Sequence, residues 1–263
     1  MSLECMNCIR ECKVEKGSVA LWWLGQMGFL IKTPAGAMFS IDAYLTNSCE
    51  KIGASIGLDL SRKVPIFIEP ETLRVDYFLC THSHPDHADP ETIERVQKDG
   101  ISLFAGPGLA CESYRRCSVE EKKIRILYAG GKVEMGDVMV HGTFAMPTDD
   151  SDLDHLGFVL AIDNGPRIYI SGDTDYTDLL GHVAKLEPDV KITCMNGGFN
   201  NLSHWEAAEA ASMIKPKVAI PCHYDMFASN AADPEQFRAC LRYKAPQITY
   251  QRLEYVKPFV FRC

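Results

Sequence analysis

The 263-residue chain has no apolar run long enough to cross a bilayer and no evident secretory signal at its start. Both absences argue against a membrane protein and lead to the expectation of a cytoplasmic location. Internal repeats and low-complexity linkers are also missing, so neither a solenoid nor a pair of tethered units is indicated. Positive charge is in deficit: 27 Lys and Arg stand against 35 Asp and Glu, a net charge of −8. A broad affinity for nucleic acid or anionic membranes is therefore not expected, and the expected partner is a small-molecule substrate. A homo-oligomer is compatible with the sequence. An even cysteine count is lacking too: the 11 cysteines, without a secretory signal, read as reduced thiols. Cys5, Cys8 and Cys12 have the spacing C-x-x-C-x-x-x-C, but no fourth ligand lies nearby. Their segment reads as a short helix with free thiols on or under it.

What is present is the composition of a globular protein, 46% hydrophobic and 24% charged. Short apolar, β-rich runs recur at 19–24, 29–33, 37–41, 77–80, 102–105, 138–140, 158–162, 167–170, 190–194 and 218–221. Helices are expected at 90–98 behind the cap candidate Asp89 with Pro90 in the first position, at 204–214 behind Ser203, and at 233–243 from the sequence D-P-E-Q. Early strands in meander order, followed by alternating strands and helices, predict an α/β fold of two sheets with helices outside, a single domain over 1–263 with an N-terminal helical extension over 1–18.

The densest chemistry lies in THSHPDHAD, 81–89, which holds His82, His84, Asp86, His87 and Asp89. Imidazole and carboxylate are good ligands for divalent ions, and structural histidines usually come singly. The stretch joins the end of the strand VDYFLCT to the helix starting at Pro90, a place where reactive groups are displayed on a rigid frame. Two later runs have the same form. YISGDTDY, 169–176, ends an apolar strand with Asp173 at its tip, and VAIPCHYDMF, 218–227, ends another with His223 just beyond.

The order T-H-S-H-P-D-H, then S-G-D-T, then P-C-H-Y-D resembles the metallo-β-lactamase superfamily signature. Closer stretches are LWWLGQMGFLIK at 21–32, the segment around Arg62 and Pro65, GDTDY at 172–176 and IPCHYDMFASN at 220–230. Together they resemble the L-ascorbate-6-phosphate lactonase family, over nearly the whole chain. The resemblance implies an αβ/βα sandwich of two mixed β-sheets with helices on the outer faces and a metal centre at the sheet edge. It assigns His82 and His84 to one ion, Asp86, His87 and His223 to a second, and Asp173 to a bridge between them. Two divalent ions, Mn²⁺ or Zn²⁺, held in this way lower the pKa of a water toward about 7 and polarise a carbonyl or phosphoryl oxygen. Asp86 and Asp173 are the expected catalytic carboxylates.

One departure stands out. Where many superfamily members place a further histidine between Asp86-His87 and Asp173, this chain has Met146. His155 comes late and is expected to contact substrate or support a ligand, while Asp149 or Asp150 offers an alternative oxygen ligand. A first site short of a histidine favours Mn²⁺. Asp42, at the end of MFSID, either hydrogen-bonds a ligand histidine or serves a turn. Arg62 is a candidate clamp for a substrate phosphate, and Tyr176, Tyr224 and Asp225 are candidates to orient substrate or move a proton. Trp22 and Trp23 read as core. The function expected is hydrolysis of a small anionic lactone, conceivably a phosphorylated sugar acid. A phosphodiesterase or nuclease on the same centre, or a non-catalytic metal-binding scaffold, are the alternatives.

Overall fold

Strands form where apolar runs can bury both faces, and the first of them shows how. In the computed structural model, which describes residues 2–263, Val19, Leu21 and Trp23 point into a core between two sheets. Ala20, Trp22 and Leu24 point into a second core on the outer side. Period-two alternation sends successive side chains to opposite faces, so the two adjacent tryptophans serve different layers. Fully burying side chains such as Leu21 and Phe29 is worth about 1.5–3 kcal/mol each.

The strands are β1 (Ser18–Gly25), β2 (Gly28–Lys32), β3 (Met38–Ile41), β4 (Tyr77–Leu79), β5 (Leu103–Gly106), β6 (Ile124–Ile126), β7 (Lys132–Met135), β8 (Val138–Phe144), β9 (Leu156–Ile162), β10 (Arg167–Ile170), β11 (Val190–Cys194), β12 (Val218–Cys222), β13 (Thr249–Tyr250) and β14 (Phe259–Arg262). They build two sheets of seven, in the orders β14-β1-β2-β3-β4-β5-β6 and β13-β12-β11-β10-β9-β8-β7. Both are mixed: β3 to β6 and β10 to β13 pair in parallel, and the remaining pairs are antiparallel.

Helices α1 (Ser2–Glu11), α3 (Pro90–Arg95) and α4 (Gly108–Arg116) cover the outer face of the first sheet through Met6, Ile9, Ile93, Ala110 and Tyr114. Helix α5 (His204–Ile214) and a 3-10 segment at Asp178–Leu186 cover the second, and α6 (Pro234–Lys244) packs on α5. Helix α2 (Ser48–Ser55) lies beside a smaller apolar cluster of Tyr44, Cys49, Val64, Met226 and Phe227. The expected helix at 90–98 is shorter because Val96 turns extended. Strands β6, β7, β13 and β14 and helices α2 and α4 were not expected. No helix among the described residues is long and apolar enough to cross a membrane.

The parallel strands set the site. Their carboxyl ends open at one edge, where ligands of open α/β sheets collect. The two sheets meet there: Leu156 N–H donates to the Thr81 carbonyl at 2.9 Å. Gly172 has φ +62° and a side chain on it would come within 2.7 Å of the Leu156 carbonyl and 2.8 Å of Thr81 Cβ. Only glycine fits that crossing.

Candidate metal centre

Asp42 follows β3, His82 follows β4, Asp173 follows β10 and His223 follows β12, each just past a strand's carboxyl end. Asp89 caps α3, accepting from the Glu91 and Thr92 amides, and so fixes the far end of the histidine loop. Within the loop, the His87 and Ala88 amides both bond the His84 carbonyl at 2.9 and 2.8 Å, folding it into a turn that carries Asp86 and His87 back toward His82.

Three groups of ligand atoms converge: His82 with His84 and His155, Asp86 with His87 and His223, and His82 with His87 and Asp173. In each group the atoms lie within 4.8 Å of one another. Asp173 stands between the two triads, with Oδ1 3.1 Å from His223 Nε2 and 3.4 Å from His87 Nε2. His82 Nε2, His87 Nε2, His155 Nε2 and Asp173 Oδ1 are buried with no hydrogen-bond partner. His82, His87 and Asp173 form one of the ligand groups and His155 joins His82 in the adjacent one, so these atoms would cost several kcal/mol unless bound partners satisfy them. Divalent transition ions fit this imidazole and carboxylate donor set.

Each donor is aimed from behind. Asp42 Oδ2 lies 2.9 Å from His87 Nδ1, and the same carboxylate accepts from the Thr81 amide at 2.7 Å and the Thr81 hydroxyl at 2.6 Å. That bond leaves His87 Nε2 free to ligate. His155 Nδ1 sits 3.1 Å from the Asp173 carbonyl, which likewise frees its Nε2. The Asn201 amide donates to Asp173 Oδ2 at 2.7 Å. The Gln26 amide spans two ligands, 2.7 Å from Asp86 Oδ2 and 2.9 Å from His223 Nε2. Gln26, Asp42 and His223 all have positive φ, at 52°, 45° and 62°. Backbone strain of this kind persists where the surroundings over-determine a functional site.

Charge is balanced within the cluster. Burial lowers the His223 imidazole, but the Asp173 and Asp86 carboxylates together outweigh it and the result is a rise to about 9. His87 is raised in the same way against burial, by Asp173, Asp86 and Asp42. His82 is pushed down by burial, with His87 and His155 adding to the effect. Asp86 and Asp173 stay below the ordinary carboxylate range, because their histidine neighbours overcome the upward push of burial.

Several expected residues stand elsewhere. His155 is not a distant support: its ring lies 4.0 Å from that of His82, centroid to centroid, and completes a three-histidine group. The acid-rich loop before β9 delays the histidine in sequence but delivers it to the same edge. Asp149 instead sits outside His84, 3.4 Å from its Nε2, and Asp150 joins no ligand group among the described residues. Arg62 does not face the cavity. Its Nε donates to the Val64 carbonyl at 2.7 Å and its Nη1 to the Tyr44 and Thr46 carbonyls at 2.7 and 3.1 Å, with the guanidinium 5.0 Å from the Tyr44 ring centroid. It ties a loop together. The Tyr176 hydroxyl donates to Asp178 at 2.9 Å. Tyr224 and Asp225 line a separate hollow with Arg252, where Tyr255 hydrogen-bonds Asp225. Cys5, Cys8 and Cys12 are free thiols, and no ligand group forms around them among the described residues. Gln26 and Asn201, which position three of the ligands, were not singled out in the sequence, although Gln26 lies within LWWLGQMGFLIK; an amide in a turn looks like any turn residue.

The comparisons agree with this geometry. A beta-lactamase superfamily domain profile matches residues 43–224. A UPF0173 metal-dependent hydrolase from Anaeromyxobacter sp. (strain K) is 29% identical over 265 residues, covering 95% of this chain and 89% of that protein. A protein of Salmonella gallinarum named "Probable L-ascorbate-6-phosphate lactonase UlaG" is 22% identical over 294 residues, covering 97% and 82%. Among solved structures, Igni18, a metallo hydrolase of the archaeon Ignicoccus hospitalis, superposes with a TM-score of 0.74 at 21% identity over 94% of this chain and 99% of that one. With the profile spanning both sheets and the fold and histidine loop in place, the chain belongs to the beta-lactamase superfamily, as a metal-dependent hydrolase.

Proposed function

We propose that the chain opens a lactone, a cyclic ester, with two divalent ions, Zn²⁺ or Mn²⁺, which the two triads together with Asp173 would hold. The observation that carries this reading is that His82, His87, His155 and Asp173, each with a buried, unpartnered donor atom, fall in two ligand groups that share His82. Bound there, the ions would supply Lewis acidity at the ester carbonyl and at the attacking water. Asp86, reaching the cavity from the loop tip, is placed to take the water's proton and return it to the leaving alkoxide. Asp42, Asn201 and Gln26 hold the carboxylates and imidazoles in register. The reading needs no protein nucleophile. Cys49 lines the cavity, but burial, with Asp86 adding, pushes its thiol far above neutrality.

A lactone is favoured over a phosphodiester by the Salmonella relative's printed name and by the absence of any Lys or Arg along the cavity among the described residues. With His155 in the first triad, the preference for Mn²⁺ that a missing histidine would give is weakened. The test is to load chelated protein with either ion, count ions by elemental analysis, and assay lactones beside phosphodiesters. Lactone turnover that requires about two ions per chain supports the proposal, with Asp173→Ala losing both ions together. Phosphodiester turnover without lactone turnover would overturn it.

A further inference from the structure

Beside the donor cluster lies a cavity of about 310 Å³, at the small end of sites that take organic ligands. One wall is the metal side, with His84, Asp86, Asp173 and His223. The rest of the lining is Pro85, the polar Thr148, Asp149, Ser151, Asn201 and Asn230, and an apolar wall of Cys49, Ile52, Ile56, Leu60, Phe199 and Phe227. Ile52, Ile56 and Phe199 are 41%, 64% and 51% exposed. Helix α2 contributes Ile52 and its end Ile56, and the loop before α5 contributes Phe199. Phe199 and Asn200 both have positive φ, at 53° and 57°, and the Asn200 amide donates to the Thr148 carbonyl at 2.7 Å. An aromatic residue in that conformation is uncommon, so the loop is pinned in a shape that presents a ring at the mouth. Arg62, the cation expected to hold an anion, is bound to three carbonyls and is not in the lining, whereas the acidic Asp149 is.

We infer that the apolar wall receives an uncharged, apolar substituent of the substrate, an alkyl or aryl chain attached to the hydrolysed ring, and not a phosphate or carboxylate. The inference rests on the hydrolytic reading for the position of the ring, but it concerns the chain's own side chains. A phosphate seated against two isoleucines, a leucine and two phenylalanines would lose hydration with no Lys or Arg in the lining to offset its charge, near the Asp149 carboxylate that repels it. An alkyl chain there would remove exposed apolar surface from water on both partners. A neutral substituent is thus proposed in place of the anion expected from the sequence: the Arg62 fork is bound to carbonyls, and no Lys or Arg lines the cavity among the described residues.

The test separates binding from turnover. δ-Lactams, uncleaved analogues of lactones, carrying straight alkyl chains of two to six carbons are titrated calorimetrically into chelated and Zn²⁺-loaded protein, beside matched compounds ending in a carboxylate. Affinity should rise about threefold per methylene until the cavity is filled, and the carboxylate should cost at least about tenfold. Ile56→Lys, at a largely exposed position that the fold tolerates, should narrow or reverse that preference. Affinity indifferent to chain length, or higher for the carboxylate compounds, overturns the inference. The expected chain-length series with no cleavage of any lactone by loaded protein would sink the hydrolytic proposal and leave this one standing.

Discussion

Lys191 is buried in the middle of β11, on the face turned toward α5, with only the Ala207 carbonyl 3.4 Å from its ammonium. Burial lowers its pKa from 10.5 to about 8. Between those values the unfolded chain carries the proton and the folded chain does not, so this group makes stability rise with pH across about 8 to 10.5. Below 8 the folded protein bears the full cost of the buried charge, about 3 kcal/mol. Lys191→Met should therefore raise stability at pH 7 by up to that amount, and the gain should fade toward pH 10.5. Denaturant unfolding of both proteins at pH 7 and pH 10 measures it, and equal midpoints at pH 7 would show that the ammonium reaches water. Asp42 presents the opposite case, a buried charge with every contact in use. Asp42→Asn should weaken metal binding about 10- to 100-fold by loosening His87, as read by competition with a chromophoric chelator. An unchanged affinity would reduce Asp42 to support of Thr81. At this scale the histidine loop was legible through sheer density, and Asp173 and His223 through their position just past apolar strands. His155 was obscured by the acidic loop that carries it. Gln26 and Asn201 were not singled out, because what makes them matter is a contact across the fold and not a residue type.

Elements with strong local signals formed where the sequence placed them. Ser203 and Glu206 make the reciprocal capping box at α5, and Asp233 caps α6 with Pro234 behind it. The strands missed, β6, β7, β13 and β14, are short, and all four are exposed over half or more of their length, so they owe their pairing to neighbours and not to an apolar pattern. Helix α2 was missed for a related reason: no side chain caps it locally. Its start is held from a distance, since Asp89 accepts from the Thr46 and Ser48 hydroxyls at 2.7 and 2.8 Å while also capping α3. One buried carboxylate thus anchors two helices. Asp89→Ala should cost about 3 kcal/mol, combining a lost cap with stranded hydroxyls. Thermal unfolding measures the loss, and a shift no larger than that of an exposed cap would show that the hydroxyls find other partners.

For the whole molecule, the donors come from both sheets. His82, His84, Asp86 and His87 follow a strand of the first, whereas His155, Asp173 and His223 flank strands of the second. Ions that bind only when both sheets are docked stabilise the docked state by mass action, about 4 kcal/mol at a thousandfold excess over Kd. Chelation should lower the melting temperature, and added Zn²⁺ or Mn²⁺ should restore it in proportion to the logarithm of its concentration. A melting point indifferent to both would mean that the sandwich closes with no help from the centre. The division of donors also has a temporal side. His223 lies far along the chain, so an emerging polypeptide displays the histidine loop long before it can offer the complete set. Early capture by that loop alone would be weak and reversible, and tight retention would begin only once the second sheet has been laid down. The bound ion then acts as a stamp on finished molecules, passing over those that stalled halfway.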